Sequence, residues 1–268
     1  MQKVALVTGV SSGIGRAAAA QLAASGFRTF GTVRSDSPPL PNVELVRLDV
    51  RDPRSIEECA ATVFERTGRI DVLVNNAGGA LTGAAEETTI DEARALFETN
   101  FFGVLRMTAA VLPAMRAQGG GRIINVGSIL GFLPAPFMSI YAATKHALEG
   151  YSESLDHEVR RFGVHVAVVE PAFTKTGLGH NGHLVQHALR EYDDARRRVT
   201  ERVAEGIEHG SDPSVVAAVI VRAATEARPR LRYQAGRNAR FLRILRTLAP
   251  ASAVDGGIRK QFGLGAAS

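Results

Sequence analysis

The chain has 268 residues, 45% hydrophobic and 22% charged, with 32 Lys or Arg against 27 Asp or Glu, a net charge of +5. A globular chain of this size buries about 75% of its unfolded surface without disulfide or metal staples, and the composition excludes wholesale disorder. The single cysteine, Cys59, excludes an intrachain disulfide and a cysteine-rich zinc site and suits a reducing compartment, so a cytoplasmic protein is expected. The first residues turn polar at Thr8-Gly9, and no apolar run approaches about 18 residues, so neither a secretory leader nor a membrane span is expected.

In chain order, short apolar runs rich in Val and Ile fall at Val4–Val7, Thr29–Val33, Val43–Leu48, Val72–Asn75, Arg122–Val126 and Val164–Glu170, with a weaker one at Arg230–Gln234. Mostly consecutive apolar residues are the pattern of strands buried on both faces of a parallel sheet. Between them, helical periodicity predicts helices over Gly15–Ser25, Pro53–Arg66, Ile90–Met115, Ala142–Phe162 and Ser214–Ala227. Asp52-Pro53 and Asp212-Pro213 each put an N-cap acceptor before a proline at the first helical position. Strand–helix alternation with right-handed crossovers implies an α/β protein with a doubly wound, mostly parallel sheet. Gly177–Gly210 shows no strand pattern and reads as a loop plus helix, a lid that closes over substrate. Residues 1–236 form one Rossmann-type domain that includes this lid, and 237–268 read as a helical extension packed on it.

Directly after the first run comes Thr8-Gly9-Val10-Ser11-Ser12-Gly13-Ile14-Gly15. Glycines between a strand and a helix let the backbone approach a pyrophosphate, and the helix N-terminus offers free N–H groups to it. The second strand ends Val33-Arg34. An acid at its end holds a ribose 2′-hydroxyl and selects NAD, whereas an arginine there accepts a 2′-phosphate and selects NADP. Val33 stands at the usual acidic position, Asp36 comes too late, and Arg34 therefore predicts NADP(H).

Tyr141 and Lys145 are four apart and share one helix face. A tyrosine of pKa near 10 is a poor acid–base at neutral pH, and lowering it to ~7 takes about 4 kcal/mol. One ammonium at ~4 Å with an effective dielectric of ~20 supplies about that much. Ser128 follows a strand, at the edge of a parallel sheet where ligands bind. Asn100 is an awkward residue for the middle of a helix.

Thr8–Gly15, Asn75-Asn76-Ala77-Gly78, Asn100, Ser128, Tyr141-x-x-x-Lys145 and Glu170-Pro171-Ala172-Phe173-Thr174-Lys175-Thr176 occur in the order in which the short-chain dehydrogenase/reductase family carries such motifs. From about Lys3 to Thr176 the chain resembles that family, and Leu148–Leu155 looks like its branch with hydroxysteroid and retinol dehydrogenases. The resemblance implies a seven-stranded sheet of order 3-2-1-4-5-6-7 and a homodimer or homotetramer. It implies that Tyr141 gives or takes the hydroxyl proton and that Ser128 holds the carbonyl oxygen. Lys145 would tune Tyr141 and bind ribose, and Asn100 would hold a water linking the lysine to solvent. Gly9, Ser11, Ser12, Gly13, Ile14 and Gly15 would cradle the pyrophosphate. Asp49 would receive the adenine amino group beside Val50. Asn76, Ala77 and Gly78 would lie along the adenosine ribose. Pro171, Ala172, Phe173, Thr174 and Thr176 would line the nicotinamide. The family usually has glycine where Ala172 stands, so the turn's φ is in question.

The expected activity is NADP(H)-dependent interconversion of a carbonyl and an alcohol. A 3-oxoacyl-thioester reductase is the rival within enzymes, and a non-catalytic dinucleotide sensor the rival outside them. Phe132, Leu133, Pro134, Phe137, Met138, Leu178 and Leu184 suggest apolar walls and an apolar small-molecule substrate. His180, His183 and His187 lack an acid or cysteine in register, so no metal is expected. In the basic segment Arg237–Phe262, Phe241, Leu242, Leu245 and Leu248 form an apolar stripe among Arg240, Arg243 and Arg246. A packing helix with solvated arginines is expected there, ahead of a membrane-surface or nucleic-acid contact.

Overall fold

The structure is a computed structural model that describes residues 2–177 and 183–265, with the backbone alone of His183. Seven strands form the main sheet: β1 (Val4–Val7), β2 (Arg28–Val33), β3 (Val43–Arg47), β4 (Val72–Asn75), β6 (Gly121–Val126), β7 (Val164–Pro171) and β9 (Arg232–Ala235). Their order is β3-β2-β1-β4-β6-β7-β9, every pair parallel. With the two-residue strands β5 (Leu81–Thr82) and β8 (His183–Leu184) set aside, this is the predicted 3-2-1-4-5-6-7.

Alternation along the strands divides the core in two. Ala5 and Val7 of β1, with Val74 and Ile124, meet α1 (Gly13–Ala24) and α7 (Pro213–Thr225) through Ala18, Leu22, Val216 and Ile220. Val4 and Leu6, with Leu73 and Ile123, meet α2 (Pro53–Thr67), α4 (Gly103–Ala117) and α5 (Ser139–Val159) through Ile56, Val63, Met107, Val111 and Leu155. The inner strands are thus apolar on both faces, which is why their apolar residues run consecutively, whereas the edge strands β3 and β9 are only partly buried. The predicted caps form: Asp52 accepts from Arg54 N (3.0 Å) and Asp212 from Ser214 N (2.8 Å).

The predicted helix over Ile90–Met115 is three pieces: α3 (Ile90–Phe97), a π-helical turn over Glu98–Phe102, and α4. The whole stretch Ile90–Ala117 is apolar and long enough to cross a membrane by composition, with mean hydropathy 1.2. It lies against the sheet as a core helix, with Leu96, Met107, Val111 and Met115 buried.

Two expectations need correction. Within 177–210, α6 (Asp193–Glu208) is the predicted helix, but β8 pairs in parallel with β5, so a strand is present where none was predicted. Two residues are too few to show a period. The C-terminal extension is two helices, α8 (Ala239–Leu248) and α9 (Ala251–Gln261), separated by Pro250. Contrary to expectation, α8 turns arginines inward and its apolar stripe outward: Phe241 is 62% and Leu248 77% exposed.

Candidate active site

The C-terminal ends of β1, β4, β6 and β7 converge, and every motif residue sits at or above them. Thr8 is buried, and its hydroxyl accepts from Asn76 N (2.9 Å) and Ala77 N (3.0 Å). The Asn76 amide donates to the carbonyls of Thr8 (2.9 Å) and Gly9 (3.0 Å). The phosphate loop and the loop after β4 are therefore one hydrogen-bonded unit. Gly9 (φ 72°) and Gly13 (φ 58°) occupy the left-handed region, where a side chain is strained. Ser11 and Ser12 are exposed. The Ser12 side chain caps nothing, and the first turn of α1 has no acid. The N–H groups at Gly13, Ile14 and Gly15 thus stand open to an anion, the cradle a pyrophosphate needs.

Gly15 is buried where a Cβ would collide with the Gly9 carbonyl and the Asn76 amide. Gly15→Ala is expected to cost about 1–3 kcal/mol by overpacking. Melting should show this as a Tm about 2–12 °C lower, and an unchanged Tm would mean that the loop yields freely.

The far end of the cleft is the loop after β7. Pro171 and Thr174 are buried, and the Thr174 hydroxyl donates to Ala172 O (2.9 Å). Ala172 is outside the left-handed region, so alanine is accommodated there without strain. Phe173 lies under α6, against Gly206. The Thr176 methyl stands beside Gly13, which brings the two loops face to face across the cleft.

Asn100 lies in the π turn and is 1% exposed. Its Oδ1 accepts from Gly79 N (2.8 Å), and its Nδ2 donates to Gly79 O (3.0 Å) and Thr144 Oγ1 (3.1 Å). The Thr144 hydroxyl in turn donates to Tyr141 O (2.7 Å). The side chain thus ties the Gly78–Gly79 loop to α5, and its amide is committed to protein partners. The π turn is what aims it there; such turns concentrate at functional sites.

Ser128 follows β6 by two residues, caps the short turn Ile129–Gly131 and accepts from Leu130 N (3.1 Å). Tyr141, Thr144 and Lys145 lie on the buried side of α5. The Lys145 Nζ donates to Val126 O (2.9 Å) and lies 5.7 Å from the centre of the Tyr141 ring. Burial pushes the Tyr141 hydroxyl up to about 12, with Ser128 acting weakly the other way. This corrects the predicted depression: the ammonium is turned to a carbonyl, and desolvation of the phenolate prevails. Burial also brings Lys145 down to about 8, against an upward pull from Glu149.

Behind Lys145 is a charged layer that motif reading missed. Burial and the neighbouring Glu170 raise Glu149 to about 7, while its bond from Arg232 Nε (2.9 Å) opposes this. Glu170 is fully buried, accepts from Gln234 (2.7 Å) and is paired with Arg243 Nη1 of α8 (3.2 Å). These partners are distant in sequence and no local pattern links them.

The apolar residues Ala80, Leu81, Leu96, Ala135, Met138, Val185 and Val199 cluster with Tyr141. Of the predicted walls, Met138 is in this cluster and Phe137 packs against it, as does Leu130, which was not among them. Leu184 is 59% exposed and its neighbour Val185 takes the inward position, against Gly83. Phe132 is covered by the Arg243 guanidinium (4.6 Å) and so faces α8. Phe137 has φ 61°, accepts from Gly83 N through its carbonyl (2.8 Å) and sets its ring edge-on to Tyr192 (6.0 Å). The segment leading into α6 is pinned: buried Glu87 accepts from Leu189 N (2.8 Å) and pairs with Arg196 of α6. Leu178, His180 and the His183 side chain lie outside the described residues. No group of three metal-ligating side chains occurs among the described residues.

At the adenosine end, Arg34 and Asp36 are exposed at the end of β2, and Asp49 and Val50 follow β3, with Val50 packed on Gly103. Asp49 is paired with Arg51 (2.6 Å), which holds its carboxyl below the usual range. Arg47, opposite Val33 in the sheet, donates to Arg34 O (2.6 Å) and pairs with Asp36 (2.7 Å).

The sequence profile of the family described as short chain dehydrogenase matches residues 3–184. The chain is 35% identical to a 3-ketodihydrosphingosine reductase of Bacteroides thetaiotaomicron over 87% of this chain and 88% of that protein. It is 34% identical to human 17-beta-hydroxysteroid dehydrogenase type 1 over 91% of this chain and 80% of that one. Among solved structures it is similar to a short-chain dehydrogenase from Streptomyces avermitilis, with TM-score 0.83, 36% identity and coverage of 98% and 97% of the two chains. Two others were solved with dinucleotides: a Burkholderia phymatum protein with NAD (TM-score 0.76, 26% identity, covering 86% and 88%) and a metagenomic oxidoreductase with NADP (TM-score 0.67, 27% identity, covering 87% and 96%). With the profile spanning more than half of its length and relatives of this identity over most of the rest, this chain belongs to the short-chain dehydrogenase/reductase family.

Proposed function

We propose that the protein interconverts an apolar carbonyl compound and its secondary or primary alcohol with NADP(H). The observation that carries this is one end of one sheet, where Ser128, Tyr141 and Lys145 lie beside an apolar cluster and across from an open anion cradle. The cradle fits a dinucleotide. Gly9 and Ser11–Gly15 would hold its pyrophosphate, Asn76, Ala77 and Gly78 would line its ribose, and Asp49 and Val50 would border the adenine. Pro171, Ala172, Phe173, Thr174 and Thr176 would flank the nicotinamide, which would supply or accept hydride.

The chain's own residues handle the oxygen and the proton. Tyr141 keeps its hydroxyl proton up to about pH 12, so it starts a reduction as the acid. Ser128 holds the carbonyl oxygen, stabilising charge as it develops. Lys145, a cation below about pH 8, stabilises Tyr141 as its proton leaves. Asn100 acts as a positioning residue, holding Gly79 and Thr144 in register with α5.

Preference for NADP(H) rests on Arg34. The relatives named for a ketodihydrosphingosine and a hydroxysteroid support an apolar substrate. Oxidation of NADPH against a panel of ketones, aldehydes and acyl thioesters tests the reading. Turnover of apolar ketones or aldehydes is expected. Turnover of acyl thioesters alone would replace it by the reductase of that class, and tight NADPH binding without turnover by a sensor.

A further inference from the structure

An amphipathic helix of a globular protein turns its apolar stripe to the core. Helix α8 does the opposite. Phe241, Ile244, Leu245 and Leu248, spaced i, i+3, i+4, i+7, are 62%, 48%, 40% and 77% exposed, and nothing among the described residues covers them.

The inward face is built from Ala239, Leu242 and Arg243, with the exposed Arg246 reaching in from its edge. Ala239 is 1% exposed. Arg243 pairs with the buried Glu170 (3.2 Å) and lies over the Phe132 ring (4.6 Å), and Arg246 Nε donates to Phe132 O (3.1 Å). The entry turn fixes the same orientation. Gly236 (φ 91°) and Asn238 (φ 63°) are left-handed, and Ser211 Oγ accepts from Arg237 N (3.1 Å). The buried Glu170 gives the arginine face a partner that an apolar face could not satisfy, so rolling the stripe inward would leave that carboxylate with only Gln234 (2.7 Å) and the more distant Arg232 (3.9 Å).

The charge of this region identifies what covers the stripe. From Arg228 to the end, nine Lys or Arg stand against Asp255 alone. Arg230, Arg232 and Arg243 are paired with Glu226, Glu149, Glu153 and Glu170, while Arg228, Arg237, Arg240, Arg246, Arg259 and Lys260 have no ion-pair partner among the described residues. The preceding 227 residues carry 23 against 26, a net −3. Helix α8 contains no acid, and Arg237 and Arg240 are exposed at its N-terminal rim. A second copy of the chain fits poorly, because an isologous contact would bring two such basic segments together. A surface both negatively charged and apolar beneath satisfies both properties.

We propose that α8 docks on an anionic lipid bilayer, lying in its interface with Phe241, Ile244, Leu245 and Leu248 among the acyl chains and Arg237 and Arg240 at the lipid phosphates. Through Arg246 and Arg243 the docked helix is tied to Phe132 and to the end of β7, so docking sets that end of the sheet close to the lipid. That an apolar substrate enters from the bilayer rests on the function proposed above; the docking does not.

The test is flotation of the full chain with vesicles of phosphatidylglycerol and phosphatidylcholine, against phosphatidylcholine alone. Wild type is expected to float with the anionic vesicles and to bind less at high salt. The double variant Phe241→Glu/Leu248→Glu should lose at least about tenfold in partitioning, and Arg237→Glu/Arg240→Glu several-fold. The substituted side chains are exposed, so the melting temperature should hold, and carbonyl-reducing activity without vesicles is a separate readout that bears on the proposed function alone. Failure of wild type to bind anionic vesicles would overturn the proposal, as would binding by the Phe241/Leu248 variant equal to wild type. A vesicle-free fall in oligomeric size of that variant by sedimentation velocity would overturn it too, by showing that the stripe is a contact between copies.

Discussion

Tyr141→Phe is expected to lower kcat for carbonyl reduction by about 10²–10⁴-fold while leaving the Kd for NADPH within a few-fold of wild type. The substitution removes one oxygen and keeps the ring, which is 7% exposed and packed among Leu81, Leu96, Met138 and Val199. Neither the Asn100–Thr144 tie, which ends on the Tyr141 carbonyl, nor the Lys145–Val126 bond uses the hydroxyl. A loss of turnover with the fold and cofactor binding retained therefore reports the proton. The pH profile separates the two titrating groups. Tyr141 stays protonated to about 12, whereas Lys145 loses its charge near 8. The reductive rate should thus fall as pH rises through about 8, with its alkaline limb set by the lysine, and Lys145→Arg should move that limb upward. A kcat for Tyr141→Phe within a few-fold of wild type would remove Tyr141 from the role of acid.

The inner strands of the sheet were legible because they are buried on both faces and so are apolar at consecutive positions; the edge strand β9, Arg-Tyr-Gln-Ala with alternating burial, gave the weaker signal. The strands β5 and β8 were not, since two residues show no period. Asn100 was legible as a misfit in a helix, but only the π turn shows why it is tolerated: the extra residue swings its amide to Gly79 and Thr144. The spacing of Tyr141 and Lys145 set their common face. It did not set the direction of the Lys145 ammonium, which a carbonyl on β6 decides. Helix α8 is the plainest case. Amphipathicity shows that one side is apolar, whereas the side that meets the core depends on Glu170, more than seventy residues earlier. Composition pointed to solvated arginines because a lone buried carboxylate has no local sequence signature.

Arg34→Ala is expected to weaken NADPH binding by about 10–150-fold and to leave NADH nearly unchanged, the effect of losing a charge-assisted contact worth about 1.5–3 kcal/mol. Three arginines stand near the end of β2, and the structure separates them. Arg47 is held by Asp36, and Arg51 by Asp49. Arg34 is exposed, and its guanidinium has no ion-pair partner among the described residues. It is therefore the arginine free to fork onto a 2′-phosphate. Val33 brings no charge, and Asp36 is turned to Arg47 so that its repulsion is offset. Arg47→Ala should weaken NADPH binding by less than Arg34→Ala, because it releases Asp36 but removes no direct donor. Since the side chain is exposed, the preference for NADPH should shrink as salt rises and the Debye length falls from about 10 Å at 0.1 M to about 3 Å at 1 M. Calorimetric Kd values for both cofactors on wild type and the two variants decide the matter. Equal wild-type affinities, or equal losses of NADPH and NADH in Arg34→Ala, would show that Arg34 does not select the cofactor.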